Sequence, residues 1–321
     1  MSTVSTTPLA NAYQGGTFAF YTIMDYIKQP LDYPQIIAML KQRNLLIGDD
    51  GQAIKQLKII SYFRLANYLR PMEQDKVTHI FKPNSHFDNA IDLYYFDKKL
   101  RALIFTAIQS FEVALRSKLI HYYSLKYGAF WLIDRGLFSD KKIFSDCTMR
   151  IQQEVYRSKE DFIQEHFDKY DNPIVPPAWK TLEVVSFGTL SRIFCNLSDN
   201  SLKKKIAREF NLPQHKYLES WCKSVVALRN NLAHHSRTWN RIYPIQPQLP
   251  QSLTGDWIDT SSVPNNRLYA QLCCLAYLQN AIHPVNSFGQ QLKQLISSHQ
   301  NVDVTAMGFP INWNNQPLWS D

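Results

Sequence analysis

Cysteine is sparse and unpatterned in this chain of 321 residues: Cys147, Cys195 and Cys222 are scattered, and Cys273 and Cys274 are adjacent. Five thiols in that arrangement fit neither a disulfide framework nor a paired CxxC zinc site, so reduced, mostly buried side chains are expected. No apolar run approaches the roughly 18 residues that span a bilayer. No basic-led apolar leader with a small-residue cleavage site opens the chain either, and a cytoplasmic protein without a membrane partner is expected. Internal repeats and sustained strand-like alternation are also missing. Acidic residues are outnumbered, 27 Asp and Glu against 35 Lys and Arg, for a formal charge of +8, which favours polyanionic partners such as nucleic acid. Hydrophobic residues at 45% and aromatics at 13% exclude wholesale disorder.

What remains is helical patterning. The opening residues 1–26, rich in Ser, Thr and Gly, read as a mobile tail. Residues 27–80 form an N-terminal helical segment: "YPQIIAMLKQRNLL" has helical spacing, "GDDG" is a turn, and "GQAIKQLKIISYFRLANYLRP" resumes until Pro71. The aromatics of "YFRLANYLRP" are expected to pack on the core, while Arg64 and Arg70 read as either RNA contacts or packing residues. Residues 81–321 form the main helical domain with a C-terminal extension. Within it, residues 91–126 lack Gly and Pro and predict one amphipathic helix of roughly 50 Å. Asp97 with Arg101 and Glu112 with Arg116 are i,i+4 pairs, each contributing about a few tenths of a kcal/mol where exposed, and the plain reading of Glu112 with Arg116 is a surface pair. Glu112 and Arg116 also stand as candidates for a polar RNA-binding site. "AWKTLEVVSFGTLSRIFCNL" predicts a helix kinked near Gly188, and Lys203, Lys204 and Lys205 a solvated basic face. The terminal "VDVTAMGFPINWNNQPLW" is irregular and apolar and should fold back on the body.

The chemistry concentrates in "RNNLAHHSRTWNR", residues 229–241, at the end of a helix predicted over 215–241. On a regular helix Leu218, Trp221, Val225, Leu228, Leu232 and Trp239 fall within about 80° of one another and define the core stripe. His235 lies beside that stripe and reads as a partly buried, hydrogen-bonded histidine. His234 points away from it, on the side of Asn230, among Arg229, Arg237 and Arg241. A metal site is disfavoured, because chelating histidines on one helix need i,i+4 spacing. A phosphodiester site suits the residue types: histidine moves protons near neutral pH, and arginine offers a fixed fork of donors to phosphate. Arg229 and His234 lie about 140° apart on a helix, so closing both on one phosphate favours two copies facing each other about a two-fold axis.

"RNNLAH" resembles the arginine, polar residue, three variable residues, histidine motif of HEPN-domain ribonucleases, and "LRNNLAHHSRTWNR" is similar to the signature of the Abi-like abortive-infection family of the AbiD and AbiF type. "QPLDYPQIIAMLKQRNLLI", "YFRLANYLRP", "FDKKLRALIFTAIQSFEVALRSKL", "YGAFW", "PPAWKTLEVVSFGTLSRIFCNL" and "MGFPINWNNQPLW" resemble further family blocks in order. The resemblance implies an all-α, HEPN-like helical bundle with additional N-terminal helices and an irregular C-terminal segment. It also implies a homodimer with a composite, metal-independent endoribonuclease site and no cofactor, acting in anti-phage defence or a toxin–antitoxin pair. Arg229, Asn230 and His234 would be its catalytic residues. His235, Arg237 and Arg241, with Glu112 and Arg116, would bind RNA, either a substrate or a structured small RNA. Two alternatives stand beside it: a non-catalytic protein that holds a structured RNA, and a module that binds only protein.

Overall fold

Helix α1 (Tyr33–Gln42) starts where Asp32 accepts the Gln35 amide and the Gln35 side chain accepts the Asp32 amide, a reciprocal cap that satisfies two otherwise orphan donors. The computed structural model describes residues 28–173 and 175–320, and the tail expected over 1–26 lies outside them. In "GDDG", Asp49 caps α2 (Asp50–Ile60), so half of the expected turn is already helix. Ser61, at φ +63°, ends α2 and caps α3 (Tyr62–Leu69) by accepting from the Arg64 amide. The stretch read as one helix up to Pro71 is therefore two.

Helix α4 (Phe87–Tyr127) runs for 41 residues, about 60 Å at 1.5 Å per residue, until Gly128 turns the chain at φ +82°. Phe96, Leu100, Ile104, Ile108, Phe111, Leu115, Leu119 and Tyr123 are all buried, a stripe that faces the core along most of its length. Eight more helices follow: α5 (Lys141–Arg157), α6 (Asp161–Lys169), α7 (Ala178–Val184), α8 (Phe187–Asn196), α9 (Asn200–Arg208), α10 (His215–Ala233), α11 (Leu268–Ile282) and α12 (Phe288–Ser297). Helix α4 packs against α3, α7, α9, α10, α11 and α12. Every residue of α11 from Leu268 to Gln279 is buried, and Gln279 donates to the Ala107 carbonyl at 2.9 Å. The expected all-α architecture is present; among the described residues only isolated β-bridges interrupt it.

Buried side chains form two clusters. A small one joins α1 to α3 with Phe81, Phe87, Ala90 and Ile91; the large one takes the rest of α4 and everything after it. Helix α4 is thus the spine of both. The C-terminal segment folds back as expected: Met307, Phe309, Trp313, Leu318 and Trp319 are buried in the large core. Gly308 there has φ +87°, and a Cβ on it would lie 2.6 Å from Cβ of Arg267, so only glycine fits.

Two further expectations are corrected. The break near Gly188 falls at Val185 and Ser186, where the Ser186 hydroxyl accepts the Thr189 amide and starts α8; the cap, not the glycine, divides the helix. Lys203 is not on a solvated face. It is buried, pairs with Glu219 at 2.5 Å and donates to the Cys195 and Leu197 carbonyls, holding a cation at the C-terminal end of α8 where the helix dipole favours one.

Candidate functional site

Helix α10 buries Leu218, Trp221, Cys222, Val225, Leu228 and Leu232, the expected stripe, but ends at Ala233 rather than running to 241. His234 is its C-cap. His235 follows at φ +52°, its amide donating to the Leu232 carbonyl at 2.9 Å while the Ser236 amide donates to Asn231 at 3.0 Å. These two bonds make a Schellman ending, in which the left-handed position usually belongs to glycine. The reading of His235 as partly buried extrapolated the helix past its end: both His234 and His235 are exposed. Trp239 is buried for another reason, its indole donating to the Asp303 carbonyl at 2.8 Å.

The segment after this turn is clamped by a carboxylate. Asp97 of α4, fully buried, accepts the Trp239 amide at 2.7 Å and the Thr238 amide at 3.2 Å. It also accepts the Tyr68 hydroxyl of α3 at 2.6 Å and a short bond from Arg101. Burial, and then the adjacent carboxylate, push the Tyr68 phenol above its ordinary pKa, so it remains a donor. The i,i+4 pair of Asp97 and Arg101 is therefore an internal hub joining α3, α4 and the loop after α10. A signal for it existed: Asp97 sits four residues after Leu93 and three before Leu100, on the apolar stripe. Two arginines complete the clamp. Arg64 Nη1 donates to the His235 carbonyl at 2.6 Å, and Arg237 Nη1 donates to the Asn67 carbonyl at 2.6 Å.

Two clefts open on this clamp. A smaller one of about 280 Å³ is lined by Phe63, Arg64, Asn67, Tyr68, His234, His235 and Arg237, with Ser61 and Ser236. A larger one of about 830 Å³ lies between α4 and the end of α10, lined by Tyr94, Lys98, Arg101, Ala102, Phe105 and Thr106 and again by Arg64 and His235. Among the described residues neither is lined by Asp or Glu, so the surface they present is suited to an anion. Phe63, expected to pack inward, is 85% exposed at the edge of the smaller cleft.

The candidates thus separate. His234, His235 and Arg237 share the smaller cleft. Arg229 and Asn230 line neither cleft; Asn230 is exposed and Arg229 half-buried on α10. Arg241 turns back, donating to the Arg237 carbonyl at 3.4 Å and lying over the Tyr243 ring. Glu112 and Arg116 pair at 2.9 Å, and Arg116 also donates to the Val185 carbonyl at 3.1 Å between α7 and α8. They are mostly buried, a tie between helices rather than part of this cleft lining, and the surface-pair expectation is corrected. No group of three or more His, Cys, Asp or Glu among the described residues is placed to hold a metal ion. No helix among them is long and apolar enough to cross a membrane.

A family model for Abi-like proteins matches residues 55–240. The chain belongs to the Abi-like family. Its matched span holds both halves of the clamp, from Arg64 and Tyr68 through Asp97 and Arg101 to the 229–239 segment. Membership in the Abi-like family points to a role in abortive infection, the defence of bacteria against phage. No curated protein and no solved structure matches the chain.

Proposed function

We propose that this Abi-like protein is an endoribonuclease of HEPN type that cuts RNA at a site shared between two copies of the chain, without a metal. The observation that carries the reading is that both motif side chains are uncommitted: neither His234 nor Arg229 makes a side-chain hydrogen bond or ion pair among the described residues, and His234 lines a cleft that no acid lines. A half-buried guanidinium with no internal partner keeps its fork of donors free for a phosphate. A substrate phosphate in a two-fold assembly would do so. The 2′-hydroxyl attacks its adjacent phosphorus and the 5′-oxygen leaves with a proton, giving a 2′,3′-cyclic phosphate and a 5′-hydroxyl. His234 serves in proton transfer, Arg229 of the partner subunit steadies the phosphorane charge, and Asn230 orients the pair.

The test is incubation of purified protein with RNA in EDTA, comparing wild type with Arg229→Ala and His234→Ala. Loss of about 100-fold or more in cleavage rate is expected in each variant, with cyclic-phosphate ends in the wild type. Cleavage that needs magnesium, or that persists in His234→Ala, removes this reading. RNA retained without new ends favours the non-catalytic binder.

A further inference from the structure

We propose that the two clefts form one continuous track for single-stranded RNA flanking the attacked phosphate, with Phe63 as an exposed base-stacking platform beside His234. The far end of the track is the larger cleft, with Tyr94 and Phe105 as base contacts and Lys98 as a phosphate contact. This rests on the RNA reading above but assigns residues outside the motif.

The clefts share Arg64 and His235 as lining residues, so a strand leaving His234 passes Arg64 to reach the larger one. Arg64 has committed Nη1 to the His235 carbonyl, which leaves its other guanidinium donors for phosphate. Lys98 is exposed, makes no ion pair among the described residues, and lies 5.9 Å from the Tyr95 ring. The volume of about 830 Å³ falls in the range, about 300–1,000 Å³, of pockets that enclose compact ligands, suited to one or two nucleotides. The Tyr94 ring is held edge-on between Tyr68 at 5.5 Å and Tyr95 at 5.3 Å, which fixes its face before any base arrives. An aromatic such as Phe63, 85% exposed amid arginines and histidines, is costly to leave in water, and a nucleobase is the partner suited to both its ring and the surrounding charge. Recessed rings favour an unpaired base over duplex RNA, which presents mainly phosphate and sugar. A second copy of the chain is a poorer occupant of the larger cleft, away from the joint proposed at His234, because a two-fold contact there would set Lys98 and Arg101 against their own copies.

The probe is a fluorescein-labelled, 2′-O-methyl single-stranded RNA of about 12 nucleotides, which cannot undergo 2′-hydroxyl attack and is long enough to fill such a site. Anisotropy in EDTA would compare wild type with Phe63→Ala, Lys98→Glu and Ala102→Trp, the last filling the larger cleft from an exposed helix position. Each variant should weaken binding by roughly tenfold or more, with a blunt duplex much less affected and the wild-type mass retained in light scattering. Phe63 and Lys98 are surface positions, so their variants keep the test decisive should the tryptophan disturb packing. Unchanged single-strand affinity in Phe63→Ala and Lys98→Glu overturns the track while leaving cleavage at His234 standing or falling by its own assay. Equal loss for duplex overturns the stacking role. Conversion of a wild-type dimer to monomer by Ala102→Trp shows that the cleft receives a second copy instead. Reduced affinity in all three variants of a protein that cuts nothing keeps the track and removes the nuclease.

Discussion

At the scale of single residues, His235 is the position whose backbone disagrees with its side chain. A non-glycine residue in the left-handed region costs about 1 kcal/mol, and nothing in the helix ending itself asks for imidazole. His235→Gly is expected to raise stability by up to about 1 kcal/mol in denaturant titration, the gain being reduced by the greater freedom of glycine in the unfolded chain. If the imidazole serves RNA, affinity falls in the same variant; an unchanged affinity would reduce His235 to a turn residue. Asp97 presents the opposite case, a side chain in full agreement with its surroundings. Asp97→Asn removes the charge opposite buried Arg101 and one acceptor from the clamp, and destabilisation of about 3–5 kcal/mol is expected. Its midpoint in urea checks this, and a shift below about 1 kcal/mol would show that water replaces the pair.

At the scale of elements, the helix ends decide where chemistry can sit. Helix α10 stops because Asn231 and Leu232 receive their Schellman bonds, and the stop frees residues 234–239 to reach α3 and α4. The same capping logic governs α9. Burial of Asp199 opposes its ionisation, but Lys126, the Leu202 and Ser201 contacts and the Tyr127 hydroxyl outweigh it and hold the carboxyl below its ordinary range. A depressed native pKa stabilises the fold fully above the unfolded value of about 3.9, and the contribution is lost as pH falls toward the native one. Asp199→Asn retains a good N-cap and removes only the charge. Its melting temperature should lie below that of the wild type at about pH 6, with the gap closing as pH drops below about 4. A gap independent of pH would assign the effect to packing.

At the scale of the whole molecule, the distribution of the motif is the informative feature. His234 lines the cleft and Arg229 does not, which is the arrangement a composite site would use. If the arginine of one subunit serves the histidine of the other, mixing inactive Arg229→Ala with inactive His234→Ala leaves one intact site in each mixed dimer, and about a quarter of wild-type activity should return after random exchange. No recovery would place both residues in one subunit's site. Recovery would also show that subunits exchange, which energy transfer between donor-labelled and acceptor-labelled copies in the mixture can follow independently.

The helices were legible in the sequence, because the three- and four-residue spacing of apolar side chains in α4 and α10 fixes which face must leave water. The family was legible as well, since its motif is read from local order. The end of α10 was not legible: the stop signal for a helix is usually glycine, and here histidine takes the left-handed position. Nor was the true place of Lys203, where three adjacent lysines have one local pattern but only one finds the carbonyl end of α8 beneath it. Tertiary structure alone decided that Asp97, Tyr68 and Arg101 join a loop 141 residues away, and that Arg64 reaches His235. Such contacts depend on how α3, α4 and α10 are set against one another, and spacing along any one helix carries no information about that placement.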